Sequence, residues 1–170
     1  MDDWEAIRAF LTAPTEQKEA FWESSALIWI DWGEYDEDIL CYCNEKLPDT
    51  AKIDFACVDT DKKRGIDILL KKNGSSTAIP YAEDRLDRDT TLRSVQAYLA
   101  PDYRLRWYLG SLGSDTLAFC LLLDGQWRQL EEEFGAALVE RYFLPVQADS
   151  KMFDLEADEA AALLERLKGQ

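Results

Sequence analysis

Tyr103-Arg104-Leu105-Arg106-Trp107-Tyr108-Leu109 and Thr116-Leu117-Ala118-Phe119-Cys120-Leu121-Leu122-Leu123, joined through Gly110-Ser111-Leu112-Gly113-Ser114, form the stretch that decides the fold. In the first arm Tyr103, Leu105, Trp107 and Leu109 alternate with Arg104 and Arg106. That period of two predicts a strand with one apolar and one basic face. The second arm is almost continuously apolar from Thr116 to Leu123, which predicts a central strand buried on both sides. It is the longest apolar stretch of the chain and is far too short to span a bilayer.

A second hairpin system lies upstream. Ile53, Phe55 and Cys57 alternate with polar or small residues, and Ile66 to Leu70 reads as the next strand after a polar turn at Asp59–Gly65. Asn73-Gly74 predicts a type I′ turn, because both central positions of that turn need positive φ, and Ser76 to Ile79 is the return strand. Around these strands lie helical patterns. Trp4, Ile7, Phe10 and Leu11 have helical spacing, and Pro14 restarts the chain toward Phe21 and Trp22. Ala26 to Ile30 has strand composition. Glu34 to Leu47 is expected to be a helix, with Tyr35, Ile39, Tyr42 and Cys43 on one face and the acids opposite.

Asp89 is expected to cap a helix running to about Leu99, Asp124 the helix carrying Trp127, Leu130 and Phe134, and Asp154 the last helix. A short helix is expected over Ala136–Phe143. Hairpins flanked by helices predict an α+β fold with a mainly antiparallel sheet, and no linker or repeat interrupts residues 1–170, so a single domain is expected.

Composition narrows the function. The chain of 170 residues holds 34 acids, 19 strong bases and no histidine, a formal net charge of −15. Without histidine, Ser-His and Cys-His nucleophile pairs and histidine metal ligands are excluded. Residues 1–50 hold 13 acids against 3 bases and residues 111–170 hold 12 against 5, whereas residues 51–110 hold 9 against 11. Such a field repels phosphate backbones and anionic membrane surfaces, so neither nucleic acid nor membrane is an expected partner. A basic protein is. The acidic start at Met1-Asp2-Asp3-Trp4 lacks the apolar run of a secretory signal, which predicts a cytoplasmic location with reduced thiols.

Several patterns that resemble catalytic or metal motifs fail on inspection. Cys41-x-Cys43 lacks knuckle spacing, and Cys57 and Cys120 cannot supply it, so no metal is expected and all four thiols are expected to be buried. Asp59-Thr60-Asp61 begins like a calcium loop, but Lys63, Arg64 and Leu70 occupy positions that need an oxygen ligand, a glycine and a glutamate. The glycines at Gly110 and Gly113 precede a strand and lack a phosphate-loop lysine. No reaction-specific motif, catalytic residue or cofactor is expected. Arg85, Arg88 and Arg93, with Arg104 and Arg106, are expected to pair with the surplus carboxylates.

The most informative segment is Asp31-Trp32-Gly33-Glu34-Tyr35-Asp36-Glu37-Asp38, in which five of eight residues are acids and two are aromatic. Carboxylates pair with Arg and Lys, and rigid aromatics anchor interfaces, so Trp32, Glu34, Tyr35, Asp36, Glu37 and Asp38 are the expected contact surface. The same acids also suit the positive end of a helix dipole.

In this segment, its strongly acidic ends and its lack of catalytic motifs, the chain resembles the small acidic cytosolic immunity proteins of bacterial toxin systems, including contact-dependent inhibition. The resemblance is one of composition and aligns no motif. It implies a role: binding a basic toxin domain, often a nuclease, and covering its active site or substrate groove. Two other functions are compatible with the sequence. One is an enzyme or ligand-binding domain with a pocket lined by Trp107, Tyr108 or Tyr81; the other is a homodimeric adaptor, where a monomer is the alternative state.

Overall fold

The computed structural model describes residues 2–82 and 85–168. Their order is α1 (Asp3–Thr12), α2 (Pro14–Trp22), β1 (Ile28–Asp31), α3 (Asp36–Glu45), β2 (Asp54–Asp59), β3 (Ile66–Lys72), β4 (Ser75–Ala78), α4 (Arg88–Leu99), β5 (Tyr103–Tyr108), β6 (Thr116–Leu123), α5 (Asp124–Phe134), α6 (Ala136–Tyr142), β7 (Phe143–Pro145) and α7 (Ala157–Leu167). The fold is α+β, with two antiparallel sheets ordered β1-β6-β5-β7 and β2-β3-β4.

The β5–β6 hairpin is the axis of the larger sheet, pairing Tyr103 with Leu123 and Trp107 with Phe119. Strand β6 is buried on both faces, as its apolar run requires. Leu117, Phe119 and Leu121 point into one core with Ile39, Leu40, Leu92 and Val95, whereas Ala118, Cys120 and Leu122 point into a second core with Ile7, Phe10, Leu11 and Trp127. The first core is closed by α3, α4 and the smaller sheet. The second is closed by α1, α2, α5 and α6.

The alternation expected in β5 is present, but its basic face is covered at Arg106. Arg106 is 7% exposed, 3.6 Å from Glu131, with its guanidinium 4.7 Å from the Trp127 ring centroid. Burial lowers the pKa of Arg106, and the Glu131 and Glu140 carboxylates oppose that shift. Arg104 pairs with Asp124 at 3.3 Å. The expected pairing with carboxylates is present at Arg104 and Arg106, whereas Arg93 donates to the Ser150 carbonyl and the Thr90 hydroxyl and Arg88 lies over Phe153; Arg85 is exposed.

Asn73 and Gly74 have φ of 53° and 80°, the type I′ turn the sequence calls for between β3 and β4. Five expectations need correction. Asp87, rather than Asp89, caps α4 through the Thr90 amide; Leu123, rather than Asp124, precedes α5, with Asp124 in its first turn; and Glu156, rather than Asp154, precedes α7. Helix α3 starts at Asp36 and buries Asp36 with Ile39, Leu40 and Cys43, leaving Tyr35 outside. Cys43 and Cys120 are buried, but Cys41 and Cys57 are exposed at the surface. Burial pushes the Cys43 thiol up to about 12, which keeps it protonated and unreactive.

One glycine follows from close approach. A Cβ on Gly110 would land on the Tyr108 ring, with Cε2 at 2.8 Å. That ring is buried and held edge-on against Phe10 and Phe21, so it has nowhere to move. Gly110→Ala is therefore expected to lower stability by about 2 kcal/mol through overpacking, and the melting temperature by about 5 °C. An unchanged thermal melt would show that the ring yields.

A candidate interaction surface on a buried polar support

The acidic-aromatic segment leaves β1 in a tight turn. The Asp31 carboxylate accepts the Gly33 amide at 2.7 Å and its carbonyl accepts the Glu34 amide at 3.1 Å. Gly33 and Glu34 then carry the chain to Tyr35, whose backbone is extended (φ −71°, ψ 143°) immediately before α3. This geometry turns Trp32 and Tyr35 outward. They are 46% and 61% exposed, large aromatic surfaces in open solvent beside the first turn of an acidic helix.

Each has a different footing. The Trp32 ring stands edge-on to Phe153, with centroids 5.2 Å apart and planes at 84°. Phe153 is held in turn by Asp89. This buried carboxylate on α4 accepts the backbone amides of Met152, Phe153 and Asp154 at 3.1, 2.9 and 3.1 Å. Burial raises the Asp89 pKa, and these three donors pull against that rise.

Of the six residues expected at the contact surface, Trp32 and Tyr35 are exposed, and Glu34, Glu37 and Asp38 are partly accessible. Glu34 is half-buried and accepts a short hydrogen bond from the Tyr42 hydroxyl, which pushes the Tyr42 pKa up to about 12. Asp36 has left the surface altogether.

Asp36 is fully buried and sits at the centre of a polar network. Its Oδ2 accepts from Arg64 at 2.7 Å and from the Asp87 amide at 3.0 Å, and its Oδ1 accepts from the Thr91 hydroxyl at 2.8 Å. Thr91 has a single hydroxyl proton. With that proton directed to Asp36, the Tyr81 hydroxyl at 2.7 Å donates to Thr91. Arg64, 4% exposed, also donates to the Arg85 carbonyl at 2.6 Å and lies 3.4 Å from the Tyr81 ring centroid. Desolvation first, and the nearby Asp36 charge second, raise the Tyr81 pKa, so its hydroxyl keeps its proton. The network joins the start of α3 to the β2–β3 loop, to the segment leading into α4 and to α4 itself. It fixes the base on which Trp32 and Tyr35 stand.

Sequence reasoning missed the inward roles of Asp36 and Asp89, although the signal was present. Asp36 is spaced at i, i+3, i+4 and i+7 with Ile39, Leu40 and Cys43, and Asp89 is three residues from Leu92 and six from Val95. Both acids lie on the apolar stripe. Trp107 and Tyr108, expected walls of a ligand pocket, are each 1% exposed and belong to the core. Among the described residues no group of three or more His, Cys, Asp or Glu is arranged to hold a metal ion, and no helix is long and apolar enough to cross a membrane.

No family model matches the chain, and neither curated proteins nor solved structures match it.

Proposed function

We propose that this chain is an acidic protein-binding module. It captures a basic protein domain on the face formed by Trp32, Tyr35, Glu37 and Asp38, with Glu34 at its edge. The observation that carries the reading is the exposure of Trp32 and Tyr35 on a turn and helix start held by the buried Asp36–Arg64 network. Exposed aromatics on a rigid base lose little conformational entropy on binding, and anchors of this kind dominate protein interfaces. The net charge of −15 adds long-range attraction for a basic partner and speeds its encounter. The resemblance to immunity proteins gives the partner its class. It is a toxin domain, a nuclease among the candidates, whose active site or substrate groove is covered in the cytoplasm.

Affinity capture with the tagged chain, washed at low and then high salt, tests this. A basic protein retained by the wild type, released by salt and lost by Trp32→Ala is the expected result. For the purified pair, Trp32→Ala should weaken binding by about 2 kcal/mol, roughly thirtyfold, mostly through faster dissociation. Reversing Glu37 and Asp38 to Lys should instead slow association and flatten its salt dependence. A partner bound equally well by all three proteins would place the interface elsewhere.

A further inference from the structure

Strand β2 is an edge of the smaller sheet, paired with β3 on one side and with no strand on the other. Its hydrogen-bonding direction is fixed at both ends. At the turn the Thr60 amide donates to the Gly65 carbonyl at 3.0 Å. At the start the Tyr98 hydroxyl bridges the two strands, accepting from the Asp54 amide at 3.2 Å and donating to the Lys71 carbonyl at 2.7 Å. Backbone groups alternate in direction along an antiparallel strand, so those of Ala56 and Val58 also face β3. The N–H and C=O groups of Phe55, Cys57 and Asp59 face away from it, and among the described residues no hydrogen bond reaches them.

Such a row is a template for another strand, and folded proteins blunt it with proline, lysine or a bulge. Strand β2 has none of these. Its six residues pair one to one with β3, and Phe55-Ala56-Cys57-Val58 is uncharged. Val58 is 44% exposed and Cys57 lies at the surface. The strand carries an acid at each end, Asp54 and Asp59, and no base. The flanking Lys52 and Lys62 are engaged by Asp49 and Asp67. Glu37 on α3 lies alongside: burial first, then the Glu37 charge and Cys41, raise the Cys57 pKa. Tyr35 and Glu37 also border Lys63, Arg64 and Ile66, and Ile66 pairs with Asp59. The contact face therefore leads into the Asp59 end of the open edge.

We propose that β2 takes an extended, basic segment of the partner protein as an added strand. Phe55, Cys57 and Asp59 supply three amides and three carbonyls along about 13 Å of strand. Side chains of the added strand alternate between two faces. Those on the Cys57 side meet Glu37, which favours Lys or Arg, and those on the other side meet Ala56 and Val58, which favours apolar residues. Two copies of this chain, each of net charge −15 and with Asp at both ends of the strand, repel one another there. The class of the partner rests on the protein-binding reading; the open edge and its pairing do not.

The test is a titration of the full-length isotope-labelled chain with the acetylated, amidated peptide Lys-Val-Lys-Val-Lys-Val-Lys, followed by amide shifts and amide exchange. Saturable binding is expected. Exchange at Phe55, Cys57 and Asp59 should slow by about tenfold or more, and exchange at Ala56 and Val58, already bonded to β3, should stay as it is. The same peptide N-methylated at its lysine amides keeps its charge, loses its donors and should bind about a hundredfold more weakly. Cys57→Pro removes one outward amide without breaking the ladder to β3 and should weaken binding about tenfold, with its thermal melt recorded beside it. If that variant does not fold, the N-methylated peptide decides. Equal binding of the two peptides, exchange slowed along β4 in place of β2, or no saturation at millimolar peptide would overturn the proposal. So would a doubled mass with the same amides protected before peptide is added, which would give the edge to a second copy. A captured basic partner separates the two readings. Binding lost to Trp32→Ala but indifferent to Cys57→Pro overturns strand addition and leaves the contact face standing, and the opposite pattern does the reverse.

Discussion

Asp36→Ala is expected to cost about 4 kcal/mol of folding stability, enough to lower the melting temperature of a chain this size by about 10 °C. The cost comes from what the substitution strands. Arg64 is 4% exposed and would lose the carboxylate 2.7 Å from it, so its charge would stay buried without compensation. The Asp87 amide and the Thr91 hydroxyl would lose their acceptor as well. Asp36→Asn should be nearly as damaging. An amide oxygen in the Oδ2 position still accepts from Arg64 and the Asp87 amide, and its NH₂ can donate to the Thr91 hydroxyl, which then donates to the Asp87 carbonyl at 3.1 Å; what is lost is the negative charge that balances the buried Arg64. The matched experiment is a double-mutant cycle. Replacing Asp36 with Leu and Arg64 with Met together removes both charges, and it should recover much of what either single change loses. Chemical denaturation of the four proteins reads the coupling directly. Strictly additive losses would mean that the pair does not hold the base of α3.

This prediction also separates support from contact. A charge reversal at Asp36 would weaken partner binding by unfolding the platform. The same reversal at Glu37 or Asp38 acts on the surface itself, because those side chains remain accessible. Binding experiments therefore need the melting temperature of each variant beside its affinity.

The hairpins were legible because a strand repeats every two residues and a turn needs particular backbone angles. The alternation of Leu105 and Trp107 with Arg104 and Arg106, the unbroken run through β6, and Asn73-Gly74 each carry their answer locally. The outward Trp32 was legible too, since it lies among acids beside a glycine, but Tyr35 reads two ways, as a surface anchor and as part of the apolar face with Ile39 and Tyr42, and only the start of α3 at Asp36 leaves it outside. The polar interior was legible only in that Asp36 and Asp89 fall on apolar stripes; their partners were not. Asp36 and Arg64 are separated by 28 positions, and Asp89 and the amide of Phe153 by 64. No local pattern reports a partner that far along the chain. Charge composition pointed the wrong way, because an acid in an acidic chain is expected at the surface unless a specific donor set draws it in. Arg64 shows the same limit from the other side. In the sequence it was one of three residues that broke a calcium-loop pattern; in the fold it neutralises a buried carboxylate.

Asp89→Ala is the second substitution expected to have a large effect, and it acts at a distance from its own position. Three consecutive backbone amides, those of Met152, Phe153 and Asp154, converge on this one buried carboxylate. Alanine leaves all three without an acceptor. Each unsatisfied buried donor costs about 1–3 kcal/mol, but the segment can partly relax toward water, so a loss of about 3 kcal/mol is expected. Asp89→Asn should fall between. With its carbonyl in the Oδ2 position it still accepts from Met152 and Asp154, while its NH₂ meets the Phe153 amide. The local readout is sharper than the global one. Amide exchange at residues 152–154 should rise by about a hundredfold in Asp89→Ala, because the opening of this segment no longer breaks three hydrogen bonds. Phe153 is the ring against which Trp32 stands, so loosening it removes the backing of an exposed anchor. Asp89→Ala should therefore weaken capture of a basic partner although Asp89 itself lies buried beneath the surface. If exchange at 152–154 stays as slow as in the wild type, the carboxylate is not the clamp; if exchange rises and partner binding is untouched, Trp32 does not need Phe153 behind it.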